Sequence, residues 1–221
     1  MVFLTNDYMF IFIHKCGSRS ILDILKRDCK KKNISILRDG IKGNKNLIHV
    51  KNNDFLFYNE HAYFINDWIS FDKPKTFSIV RNPYARTLSN YRNLKNRGKE
   101  DNLELFVLRV EKLLKLSKEE LKLLNCEDKA LLHHIVPQYK YICINDKVAV
   151  DKIFKLENLD SELFELKKML DIDIETTIPK LNISHKIKTN ILEENIAKKI
   201  FSIYENDFNI LNYEFDSWTY Y

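Results

Sequence analysis

The run Tyr8 to Ser20, YMFIFIHKCGSRS, constrains the fold more than any other stretch of the chain. Six apolar or aromatic residues, from Tyr8 to Ile13, are too few for a helix of ordinary length. They are rich in β-formers, so they predict a buried strand. The strand gives way abruptly to Lys15, Cys16, Gly17, Ser18, Arg19 and Ser20. Ile21, Leu22, Ile24 and Leu25 then recur at helical spacing. A strand, a small polar loop and a helix start in that order aim several backbone N–H groups at one point, a geometry suited to an anion. Lys15 adds a positive charge, and Ser18 and Ser20 add hydroxyls. The loop lacks the pattern Gly, four residues, Gly-Lys-Ser/Thr of nucleotide triphosphatases, because its Lys stands at the beginning. A plain strand-to-helix turn that happens to hold Lys and Ser is the alternative reading of this stretch taken alone.

A second stretch, TFSIVRNPYARTLSNY from Thr76 to Tyr91, repeats the arrangement. Phe77, Ile79 and Val80 read as another buried strand, with Arg81 at its end. Asn82-Pro83 stops the strand and opens a helix, Pro being suited to a first helical turn. Ser89 follows about two turns along. Arg81 offers a planar donor fork, which matches a phosphate monoester better than a lysine does.

Together the two stretches resemble the nucleotide site of sulfotransferases that use 3′-phosphoadenosine 5′-phosphosulfate (PAPS), in particular the carbohydrate O-sulfotransferase branch. Four further segments are similar to that family in order: His134 to Gln138, Phe154 to Leu159, Leu181 to Ser184, and Tyr204 to Phe208 followed by Asn212 to Phe215. The resemblance covers nearly the whole chain. It implies that Lys15, Cys16, Gly17, Ser18, Arg19 and Ser20 belong to the loop for the 5′-phosphosulfate, and that Arg81 and Ser89 bind the 3′-phosphate. It also implies sulfuryl transfer to a hydroxyl, most simply of a carbohydrate, leaving adenosine 3′,5′-bisphosphate. His14 stands where the family has Pro, Arg19 where it has Thr, and Ala85 where Asp is frequent. Arg19 either replaces the Thr contact with a charged one or faces solvent.

The chemistry asks for a cation where negative charge grows on the leaving oxygen, and for a base that takes the acceptor proton. Lys15 fits the first role. For the second, His61 comes first, with Glu60 beside it as alternative or helper and His49 as runner-up, His49 being otherwise expected to bind the substrate. His134 is expected to line the acceptor cleft. His133 and His185 read as surface or packing residues. No metal is required. Two other readings stay open: a P-loop kinase, which the absent Walker pattern opposes, and a family member that binds without catalysing.

The remaining composition fits one soluble domain. A chain of 221 residues with 45% hydrophobic residues buries a sizeable core, and only 4 Gly and 4 Pro leave little room for linkers. Net charge of +5 suits an anionic cofactor without pointing to nucleic acid. Cys16, Cys29, Cys126 and Cys143 are scattered without metal spacing, which predicts packed thiols in a reducing compartment. No apolar stretch nears the ~20 residues of a membrane span, nor is there a signal leader. The expectation is a cytoplasmic protein, with a trimmed catalytic domain of a Golgi-type enzyme as alternative. The segment Lys26 to Lys32 reads as the wet end of the first helix, with polyanion binding as the other possibility.

The fold expected is α/β: a single P-loop-like domain over residues 1–221, its central parallel sheet flanked by helices. Strands are predicted at 8–14, at 47–50 or 54–58, at 76–81 and at 152–156. Helices are predicted after Ser18, after Glu60 and after Pro83, and over 102–115, 117–134, 159–170 and 190–207.

Overall fold

The computed structural model describes residues 2–5, 7–32, 38–39, 75–171 and 192–221. The chain divides into two compact units, each made from two segments: Met1–Val80 with Lys140–Leu181, and Arg81–Tyr139 with Asn182–Tyr221.

The first unit holds a five-stranded sheet built from β1 (Val2–Leu4), β2 (Tyr8–Phe12), β3 (Arg38–Asp39), β4 (Lys75–Val80) and β7 (Lys152–Lys155), in the order β3-β1-β2-β4-β7. Strands β2, β4 and β7 run parallel. β1 pairs antiparallel with both β2 and β3. The expected parallel sheet is therefore three adjacent strands on one side of the sheet, ending at β7, extended beyond β2 by an antiparallel edge that the sequence had not marked. All five residues of β2 are buried, as a strand covered on both faces requires. In register, Phe10 faces Phe77, and their rings stack with centroids 4.8 Å apart. Phe154 of β7 meets Phe77 edge-on at 6.1 Å. This aromatic row stitches the three parallel strands along one face, in the arrangements that ring quadrupoles favour. The polar residues of β4 are satisfied: Ser78 donates to the Ile11 carbonyl, and Thr76 donates through both N–H and hydroxyl to Asp151.

Helix α1 (Ser18–Lys32) buries Ile21, Ile24 and Leu25, while Lys30, Lys31 and Lys32 end it, where positive charge complements the helix dipole. Lys30, Lys31 and Lys32 are exposed, as the reading of a wet helix end requires. Between β4 and β7 the chain forms a small hairpin, β5 (Cys143–Ile144) with β6 (Lys147–Val148). Its turn residues Asn145 and Asp146 both have positive φ, 49° and 58°, the requirement of a tight two-residue turn. The Asn-Asp pair was the available signal.

The second unit is helical, with α2 (Pro83–Lys95), α3 (Leu103–Leu114), α4 (Lys118–Leu123), α5 (Cys126–Ile135) and, after helix α6 (Leu159–Leu170) of the first unit, α7 (Glu194–Ile210). The helix expected over 117–134 is two helices. Ser117 and Glu120 form a capping box at the start of α4, and Asn125 caps α5 through the Asp128 N–H. Two N-terminal signals a few residues apart cannot share one helix. α7 runs 194–210 rather than 190–207. An aromatic chain joins Tyr84 of α2 to Phe208 (4.8 Å) and Phe208 to Phe201 (5.1 Å) on α7.

The strand expected at 47–50 or 54–58 and the helix after Glu60 lie outside the described residues. Within them, no helix is long and apolar enough to cross a membrane, and Cys16, Cys29, Cys126 and Cys143 are all unbridged by disulfides.

Candidate functional site

The first loop joins β2 to α1. The strand ends at Phe12, earlier than the predicted 14, because Lys15 takes φ 68°. A non-glycine residue in the left-handed region carries a cost of about 1–2 kcal/mol, and such outliers gather where a backbone is bent for a ligand. Gly17 takes φ 71°, and Cys16 between them does not. Alternation of φ sign over successive residues turns neighbouring N–H groups toward one concavity. The first turn of α1 adds N–H groups that no carbonyl of that helix accepts. Cys16 is fully buried, and its thiol points to the His14 carbonyl, so its side chain packs as expected while its backbone shapes the loop. Ser18 donates its one hydroxyl proton to the Ile13 carbonyl at 2.7 Å, closing the loop across its base. Ser20 is buried, Lys15 half-buried and Arg19 exposed.

Gly17 is favoured on two counts. Its φ disfavours any side chain, and a Cβ there would lie 2.7 Å from Leu156 Cδ1. Leu156 belongs to the Phe154 to Leu159 segment, so one motif sets the floor beneath the other.

The second loop leads from β4 into α2. Asn82 caps α2, accepting from the Tyr84 N–H at 2.9 Å, and donates through its amide to Ser217. Arg81, half-buried, is held by its backbone: its N–H donates to Gln138 Oε1 at 2.9 Å, and its carbonyl accepts from Gln138 Nε2 at 2.7 Å. The Gln138 amide thus mimics a neighbouring strand. Gln138 is fully buried and is itself fixed, since its N–H and that of Tyr139 donate to the two oxygens of Asp207 at 2.8 Å each. Asp207 is also fully buried. Burial raises its carboxyl pKa, against the opposing pull of the Arg86 guanidinium and the two N–H groups. Arg86, equally buried, donates to the His134 carbonyl at 2.9 Å, which Asn90 also reaches at 2.9 Å. Tyr204 donates to the neighbouring Ile135 carbonyl. These groups form one satisfied polar network, so each buried donor and acceptor supports the next.

The structure therefore gathers Lys15, Cys16, Gly17, Ser18, Arg19 and Ser20 in one loop, and sets Arg81 and Ser89 on the loop and helix that Gln138 anchors. His134 enters the network through its carbonyl. His61, His49 and Glu60, and the Leu181 to Ser184 segment, lie outside the described residues. Sequence reasoning missed Arg86, Gln138 and Asp207 as positioning residues. The signal was present, because each falls in a segment noted for its resemblance, but nothing local marks a buried polar partner. Arg92, one turn beyond Ser89, was also passed over. It is half-buried, and burial and then the charge of Arg81 lower its pKa.

The first loop is cationic and alternates in φ, and the second carries the half-buried Arg81. Among the described residues no group of three or more His, Cys, Asp and Glu side chains is placed to hold a metal ion. No curated protein and no solved structure matched the chain. A model of the sulfotransferase family matches residues 1–214. With nearly its whole length matched, the chain belongs to the sulfotransferase family.

Proposed function

We propose that the chain is a PAPS-dependent O-sulfotransferase acting on a hydroxyl acceptor, most simply a carbohydrate, and that residues 1–221 work as one domain. The observation that carries the donor assignment is the loop after β2, where Lys15 and Gly17 alternate in φ with Cys16 directly before the start of α1. Such a loop suits a phosphosulfate end, with Lys15 supplying the cation. Arg81 and Ser89 take the 3′-phosphate.

When bound, PAPS supplies the sulfuryl group for in-line transfer and leaves as adenosine 3′,5′-bisphosphate. Lys15 holds positive charge where the phosphate oxygen becomes more anionic, the preorganised stabilisation that enzymes use most heavily. His61, or Glu60 beside it, takes the proton from the acceptor hydroxyl. His49 and His134 orient the acceptor. A cytoplasmic location is supported by the buried thiols of Cys16, Cys29 and Cys143, which suit a reducing compartment.

The test is transfer of labelled sulfate from PAPS to a mixed panel of glycan acceptors, with calorimetry on adenosine 3′,5′-bisphosphate alongside. Binding and transfer are expected, with Lys15→Ala losing at least a hundredfold in rate and Arg81→Ala losing bisphosphate binding. Absence of bisphosphate binding by the wild-type chain sinks the donor assignment. Binding without transfer to any acceptor, and with His61→Ala indistinguishable from wild type in every assay, favours a non-catalytic member of the family.

A further inference from the structure

The 3₁₀ turn Phe215–Tyr220 lies beyond the family match, which ends at residue 214. It nevertheless grips the residue that follows Arg81. The Asn82 amide donates to Ser217 Oγ at 2.9 Å, across 135 positions of chain. Ser217 is buried, and its one hydroxyl proton goes to the Glu214 carbonyl at 2.5 Å. The Ser217 oxygen is therefore left as an acceptor, and an amide whose nitrogen end is held there turns its oxygen the other way. That oxygen is the one that caps α2 at the Tyr84 N–H. Tyr84 in turn donates through its hydroxyl to the Phe215 carbonyl at 2.8 Å, and the Phe215 ring meets Phe201 of α7 edge-on at 4.9 Å. Asp207, on the same helix, holds Gln138 and through it the Arg81 backbone. Arg81 and Asn82 share one peptide unit, so both ties act on the same turn, and α7 seats both.

We propose that residues 215–221 are a strap that sets the 3′-phosphate end of the donor site, with Ser217 as a positioning residue that acts through Asn82. The inference rests on reading Arg81 and Ser89 as that site. Arg81 precedes the cap and Ser89 follows it on α2, so the Asn82 amide governs how the two stand to each other. A binding group has to be held to within about 0.5 Å to keep its worth. Loss of the Ser217 hydroxyl removes what selects the orientation of the Asn82 amide, and the cap loosens with it. The loop around Lys15 and Gly17 is built from other residues, so its grip on a 5′-phosphate is left unchanged.

The experiment is calorimetric titration of the full chain with adenosine 3′,5′-bisphosphate and, separately, with adenosine 5′-phosphate. The variants are Ser217→Ala, Asn82→Ala, the two combined, and Arg81→Met. Ser217→Ala is expected to weaken bisphosphate binding about threefold to tenfold, the worth of one hydrogen bond, with adenosine 5′-phosphate within about twofold of wild type. In the Asn82→Ala background Ser217→Ala is expected to cost nothing further, because one residue acts through the other. Wild-type bisphosphate affinity in Ser217→Ala overturns the inference. So does an equal loss for both nucleotides, which marks a general structural role, and so does full additivity with Asn82→Ala. If Ser217→Ala does not fold, hydrogen exchange on the wild-type chain decides. By linkage, a ligand that prefers the strapped site slows amide exchange over residues 215–221. Slowing by the bisphosphate beyond that by saturating adenosine 5′-phosphate supports the inference, and equal exchange overturns it. If Arg81→Met also binds the bisphosphate as wild type does, the 3′-phosphate reading itself has failed; if Arg81→Met loses binding while Ser217→Ala keeps it, that reading stands and this inference alone falls.

Discussion

Replacing Gly17 with Ala tests how the first loop is built, and its cost divides into two separable parts. The backbone part comes from φ 71°, which costs an L-residue about 1–2 kcal/mol. The steric part comes from Leu156 Cδ1, 2.7 Å from the new methyl, where ordinary carbon contacts lie near 3.5–4.0 Å. Leu156 is half-buried and the overlapping atom ends a flexible side chain, so relieving an overlap of about 1 Å costs at most about 1–3 kcal/mol. The sum, about 2–5 kcal/mol, is a large share of the roughly 5–15 kcal/mol that holds a domain folded, so the variant should fold but with a lower midpoint. Leu156→Val removes both Cδ atoms and by itself should cost below about 1.5 kcal/mol. In the double variant the steric part should return while the backbone part stays, giving a favourable coupling of about 1–3 kcal/mol. Urea denaturation followed by circular dichroism on the four proteins measures it. Strict additivity would refute the contact. Complete recovery in the double variant would refute the claim that the left-handed backbone carries its own cost.

Gln138→Leu strips the Arg81 backbone of a donor and an acceptor at once. At about 1–3 kcal/mol for each of the two groups left without that partner, stability should fall by about 2–6 kcal/mol, and adenosine 3′,5′-bisphosphate affinity should fall with it. Equal midpoints for wild type and Gln138→Leu would contradict the clamp. Tyr84 tests the helical unit by pH. Burial, and then Asp216, push its phenol up to about 12 from 10.0, and the protonated hydroxyl donates to the Phe215 carbonyl at 2.8 Å. A pKa raised on folding contributes stability that is whole below pH 10 and lost as pH approaches about 12. The stability difference between wild type and Tyr84→Phe should therefore shrink across that interval, and a difference independent of pH would count against it.

What could be read from the sequence follows from range. The strand–loop–helix around Lys15 and Gly17, the strand end before Arg81, the Asn82-Pro83 helix start and the helix over 159–170 are each specified within a few residues, by β-propensity, caps and apolar period. The exceptions are also local: the split between α4 and α5 and the turn at Asn145 and Asp146 had signals that simply needed reading. Other features depended on contacts far apart in the chain. The antiparallel pairing of β1 and β3 is one. The clamp of Gln138 on Arg81 spans 57 positions, and the grip of Asp207 on Gln138 spans 69. A buried amide or carboxylate carries no mark of burial in its own neighbourhood, because its cost and its compensation appear only when a distant partner arrives. The sequence alone thus determined that two anion-seeking loops follow two buried strands in a sulfotransferase-like order. The tertiary structure decided what holds Arg81 in place and what a side chain at Gly17 would meet, since each is a matter of close approach between segments that the chain itself keeps apart.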